Sequence, residues 1–165
     1  MTSVDLPSVD WNKLVQTTQA HHRFSLDYTF KREALWVQAK KSNGITSGTG
    51  VGISSPPFRV LALDCEMCEC TDPVDGKKDK NALIRLSVVN GLDPNQVLID
   101  TLVAPSLLIS DCRTRIHGIS EEQLASVKIS LRHAQAALLT LMDENTILIG
   151  HSICNDLDAL KLDHK

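Results

Sequence analysis

Asp64 and Glu66 stand two residues apart at the end of a short apolar run, Arg59 to Glu66. On an extended strand, residues i and i+2 point to one face. Both acids therefore share a side with Val60 and Ala62, while Leu61, Leu63, Cys65 and Met67 point the other way. Two carboxylates ending a buried strand repel each other and lose hydration. A hydrogen-bond network or a divalent cation relieves that cost, and a strand that surfaces at this point leaves both acids solvated. On the pair alone, both readings stand.

A second cluster, Thr146 to Asp156, runs a short apolar strand into Gly150-His151-Ser152 and then a helix whose first turn holds Asp156. If the two strands are neighbours, Asp156 approaches the pair across a cleft. Strand ends of open α/β sheets are where ligands bind. Three carboxylates around one pocket suit hard cations that prefer oxygen ligands. Two such ions, roughly 3.5–4 Å apart, activate a water and stabilise the leaving oxygen in phosphodiester cleavage.

The elements that must hold these residues follow from pattern. Ala82 to Val89 and Gln96 to Val103 read as strands separated by the turn Asn90 to Asn95, and Thr71 to Asn81 reads as a polar surface loop. Ser120 with Gln123 three positions on is a capping box. Leu131, Ala134, Ala137, Leu138 and Leu141 recur at helical spacing, predicting a helix over 130–142. Thr146 to Gly150 is a further strand, and Ser152 is placed to cap a helix running to Leu162. Three strands, then helices, then a strand and helix predict an α/β sheet with an antiparallel beginning.

The chain of 165 residues has a net charge of -3, divided unevenly: residues 1–58 sum to +2 and residues 59–165 to -5. A sequence-independent duplex binder is usually basic. An acidic domain takes nucleic acid when bound cations reverse its local sign. All six aromatics (Trp11, Phe24, Tyr28, Phe30, Trp36, Phe58) lie in the first 58 residues. The division expected is an N-terminal, partly helical arm over 1–41, a flexible linker over 42–57 rich in Gly, Ser and Thr, and a main domain over 58–165. The arm packs its aromatics on the main domain or stacks them on a nucleic acid. No apolar run is long enough to span a bilayer and no basic stretch leads into an apolar one, so no membrane partner or secretory signal is expected. An odd, scattered set of five cysteines fits a reducing, intracellular compartment.

Leu-Ala-Leu-Asp64-Cys-Glu66-Met-Cys, Cys112-Arg-Thr-Arg-Ile-His-Gly118-Ile-Ser120 and Ile-Leu-Ile-Gly150-His151-Ser-Ile-Cys-Asn155-Asp156 occur in order and at suitable spacing. They resemble the DEDD-type 3′–5′ exonucleases, and within them the eukaryotic RNA exonuclease branch, over about residues 59–163. The resemblance implies a ribonuclease H-like mixed sheet with flanking helices. It implies Asp64, Glu66 and Asp156 as catalytic, metal-binding residues holding Mg²⁺ or Mn²⁺. It further implies an RNA 3′ end as substrate, with single-stranded DNA a second candidate, release of nucleoside 5′-monophosphates, and a nuclear location. Met67, His151, Asn155 and Leu157 fall where the family contacts substrate. Many relatives carry a Phe at the position of Leu157, so base contacts here are expected to be apolar, through Leu157 or Met67, or to be supplied by the arm.

One departure bears on activity. The family's third block, with the general-base His and a fourth metal-binding Asp, lies beyond the last helix predicted here. The chain ends before it, at Leu162-Asp163-His164-Lys165. The expectation is a C-terminally truncated exonuclease domain with no assigned base, and the alternative is a catalytically inactive relative that binds nucleic acid or protein. His151 and Asp156 have the spacing of the third block but belong to the second, and terminal His164 is expected to be loosely held. Cys65, Cys68 and Cys70 (C-x2-C-x-C) lack a nearby fourth ligand and read as structural rather than zinc-binding. Arg113 and Arg115 suit either a phosphate contact or a salt bridge to Asp111. His117 is read as a loop histidine.

Overall fold

The computed structural model describes residues 9–29, 35–41 and 58–164. In chain order these form α1 (Trp11–Gln19), α2 (Phe24–Asp27), β1 (Val37–Gln38), β2 (Val60–Thr71), β3 (Lys78–Asn90), β4 (Asp93–Leu102) and β5 (Leu108–Asp111). Then come α3 (Thr114–His117), α4 (Glu121–Ala125), α5 (Leu131–Leu141), β6 (Ile147–Ile149), α6 (Cys154–Leu160) and β7 (Leu162–Asp163). The linker expected over 42–57 lies outside the described residues.

β2 organises the main sheet. β3 lies antiparallel along one side of it and β4 antiparallel beyond β3. The other side of β2 is shared: β6 runs parallel against Val60 to Ala62, and β5 antiparallel against Glu69 to Thr71. The stretch of β2 between them, which contains Asp64 and Glu66, has no strand partner on that side. This is the mixed α/β sheet with flanking helices that the sequence predicts.

Alternation along β2 divides two apolar cores. Leu61, Leu63 and Cys65 face a core completed by Leu86 and Val88 of β3, Ala134 and Leu138 of α5, and Leu157 and Leu160 of α6. Met67 packs against the same core. Cys68, Cys70 and Ile84 join Cys112, Ile119 and Leu124 in a second cluster, covered by the segment from β5 to α4. Capping fixes the helices over these cores. Ser120 Oγ accepts the Gln123 N–H while Gln123 Oε1 accepts the Ser120 N–H, the reciprocal pair expected from the sequence.

Two boundaries differ from expectation. The polar stretch 71–81 is mostly strand, leaving only 72–77 as a turn. Backbone pairing of Thr71 with Lys78 and Cys70 with Asp79 carries the hairpin onward, and Lys78 Nζ donates to Glu69 Oε1 at 2.6 Å. β5 and α3 were not legible in the pattern. The arm touches the domain through β1, which pairs in parallel with β7, and through Gln135 Nε2, which donates to the Leu35 and Leu160 carbonyls. Among the described residues no helix is long and apolar enough to cross a membrane.

Candidate active site

Asp64 is exposed, and Glu66 on the same face is half-buried. The unpaired side of β2 leaves the Cys65 N–H without a strand acceptor. Asp156, in the first turn of α6, supplies one: its Oδ1 accepts that N–H at 2.7 Å. The third carboxylate is thereby fixed to the backbone between the other two. Its position depends on β6, which runs parallel to β2 and delivers the chain at Gly150 to the start of α6. Gly150 makes that approach possible, since a Cβ there would lie 2.7 Å from the Leu63 carbonyl oxygen.

The electrostatics follow from the placement. Asp156 is 4% exposed, and burial pushes its carboxyl above the usual range. The Cys65 N–H opposes that shift, and the negative charge of Asp64 adds to it. Burial, together with Asp156, raises the Cys65 thiol far above its ordinary value, so it stays protonated. Burial first, and the like charge of Asp64 after it, penalise the Asp156 carboxylate, and a bound cation would relieve both. The donor set is all oxygen, as hard divalent ions require. It is not a closed cage: among the described residues no three His, Cys, Asp or Glu side chains are grouped so as to hold a metal. The fit lies in donor chemistry and crowded charge.

Comparison with known proteins gives a consistent picture. The chain is 33% identical over 156 residues to small RNA degrading nuclease 2 of Arabidopsis thaliana, covering 92% of this chain and 30% of that protein. It is 42% identical over 106 residues to RNA exonuclease 1 of Saccharomyces cerevisiae, covering 64% of this chain and 18% of that protein. Its structure resembles the Saccharomyces cerevisiae apo Pan2 pseudoubiquitin hydrolase–RNA exonuclease module in complex with AAGGA RNA, at TM-score 0.54 and 19% identity. That match covers 86% of this chain and 25% of the other. The chain belongs to the DEDD-type exonuclease family. The Pan2 catalytic unit of Neurospora crassa matches at TM-score 0.50 and 20% identity, over 86% of this chain and 23% of that one, and shares its fold. The chain thus spans about a third or less of the length of the relatives it matches. No family model matches it.

For a chain of this exonuclease family, the remaining candidates fall unevenly around the acids. His151 and Asn155 are exposed at the turn into α6, and the Asn155 N–H donates to the Ser152 carbonyl. Leu157 is 1% exposed and packs in the core. His164, expected to be loose, is anchored: its Nε2 lies 2.7 Å from the Thr146 carbonyl oxygen. His117 closes a loop, its Nδ1 accepting the Ile119 N–H and its Nε2 placed 2.8 Å from the Cys112 carbonyl oxygen. Asp111 Oδ1 accepts the backbone N–H of Arg113, not a guanidinium.

One group beside the acids went unrecognised in the sequence: Arg85, Ser87 and Asp100. Only the pairing of β2, β3 and β4 brings them to this face. The signal for it lay in the register of two predicted strands, not in any motif.

Proposed function

We propose that this chain is a 3′–5′ exoribonuclease domain that hydrolyses the terminal phosphodiester of an RNA 3′ end and releases nucleoside 5′-monophosphates. Asp64, Glu66 and Asp156 would hold Mg²⁺ or Mn²⁺, which supplies an activated water and charge neutralisation at the leaving oxygen. The observation that carries this reading is the Asp156 carboxylate anchored at the Cys65 N–H, between the two acids of β2. Asp64 and Glu66 present their oxygens on the open face, and Asp156 approaches from α6. A buried third acid keeps a fixed geometry, while the exposed Asp64 remains able to adjust to a substrate. Relatives named as RNA exonucleases and small RNA degrading nucleases support RNA as substrate.

The test is incubation of the chain with 5′-labelled single-stranded RNA, blocked and unblocked at its 3′ end, in Mn²⁺ and in chelator. The expected result is a ladder shortening from the 3′ end, dependent on metal and on a free 3′ end, with mononucleotide 5′-phosphates as product. Internal cuts, or shortening from the 5′ end, would overturn the reading. Single-stranded DNA in parallel measures the demand for a 2′-hydroxyl.

A second reading is favoured by the histidines. Among the described residues, His164 is engaged with Thr146 and His117 with Cys112, and no three His, Cys, Asp or Glu side chains are grouped so as to hold a metal. A domain that holds RNA without cutting it would bind the same oligonucleotides and leave them intact in Mn²⁺.

A further inference from the structure

A second charged pair lies beside the acids. β2 and β3 set Glu66 directly opposite Arg85 and Asp64 opposite Ser87. β3 and β4 set Ser87 opposite Asp100. Directly opposed residues share a face with Cβ atoms roughly 4.5–5.5 Å apart, so the Arg85 guanidinium has Glu66 within reach. It turns the other way. Its Nε donates to Asp100 Oδ1 at 2.8 Å and its Nη2 to Oδ2 at 2.9 Å. The Ser87 hydroxyl donates to the same Oδ1 at 3.2 Å. Asp100 first, then Glu66 and Asp64, hold the guanidinium above its ordinary pKa, which places its charge in the field of all three acids.

A two-pronged grip has a consequence for Glu66. A guanidinium matches a carboxylate in shape and would take up the same oxygen lone pairs that a metal ion needs. We propose that Asp100 is a positioning residue that restrains Arg85, keeping its guanidinium off Glu66 and leaving the glutamate oxygens open to a divalent cation. This rests on the metal-binding reading of Asp64, Glu66 and Asp156 given above. With the restraint in place, Arg85 moderates the repulsion between the acids without occupying either. Without it, Arg85 closes onto its cross-strand neighbour and competes with the cation.

The experiment is calorimetric titration of Mn²⁺ into the full chain, its D100A and D100N variants and the double variant D100A/R85Q, with circular dichroism to confirm the fold. Arg85 and Asp100 side chains are 40% and 46% exposed, so these changes leave the core untouched. D100A is expected to weaken Mn²⁺ binding about fivefold or more, and D100N, which keeps one acceptor, less. The double variant is expected to recover wild-type affinity or exceed it, because the competitor has gone. Equal binding by wild type and D100A overturns the inference, as does a double variant as weak as D100A. No Mn²⁺ uptake by the wild type overturns the metal reading itself, and this inference with it.

Discussion

Asp156 Oδ1 accepts the backbone N–H of Cys65 at 2.7 Å, joining α6 to the middle of β2 across 91 residues of sequence. The bond fills a gap left by the sheet, because β6 stops pairing at Ala62 and β5 begins only at Glu69. One side chain thus completes the strand's hydrogen bonding and sets the third acid beside the pair.

That dual role separates two variants. Asp156→Ala leaves a buried N–H without an acceptor, a loss of about 1–3 kcal/mol. Asp156→Asn keeps an acceptor oxygen and sheds the charge that burial penalises, so its stability stays closer to wild type. Both are expected to lose nuclease activity. Urea denaturation with a parallel RNA-degradation assay checks this, and an alanine variant as stable as the asparagine variant would contradict the structural half.

Asp64 and Glu66 behave differently, since Asp64 is exposed and Glu66 only half-buried on the same face of β2. Asp64→Asn and Glu66→Gln are expected to change stability by no more than about 0.5 kcal/mol. Activity is expected to fall below about a tenth of wild type. A variant that keeps more removes that acid from the catalytic set.

Most of the architecture was legible because it rests on local rules. Period-two alternation in Val60–Glu66 fixed which face carries the acids, and the helical spacing of Leu131, Ala134 and Leu138 placed α5. β5 was not legible, because four residues carry too little pattern and Glu69–Thr71 supplies its pairing. The hairpin beyond Thr71 was hidden by its polarity; backbone pairing and the Lys78–Glu69 ion pair hold it instead of apolar burial. Leu157 shows a local signal overlooked. Ile153, Leu157 and Leu160 recur at i, i+4 and i+7, the stripe that faces a core, and Leu157 is buried there. The Arg85–Asp100 pair needs the register of three strands, which no single segment encodes.

Gly150 links fold to site. A methyl group there would sit 2.7 Å from the Leu63 carbonyl oxygen, and backbone cannot yield as a flexible side chain does. Gly150→Ala is expected to push the start of α6 away from β2, at a stability loss of about 1–3 kcal/mol. Because Asp156 moves with α6, activity should fall at temperatures where the variant is still fully folded. Activity that tracks only the folded fraction would show that α6 tolerates the displacement.

His164 gives the chain a pH response away from the acids. Burial holds its imidazole below the ordinary pKa of 6.5, and the Thr146 carbonyl, Asp143 and Asp163 only partly offset this. The folded state therefore binds fewer protons than the unfolded chain between the depressed value and 6.5. Stability from neutral His164 is fully present above the unfolded pKa and is lost as pH falls through the folded one. His164→Gln can still donate to Thr146 but cannot take up a proton. Urea midpoints measured from pH 8 down to pH 5 should therefore fall more steeply for wild type than for this variant. Parallel curves would mean that His164 titrates alike in both states, and that its 2.7 Å contact with Thr146 does not depend on its charge.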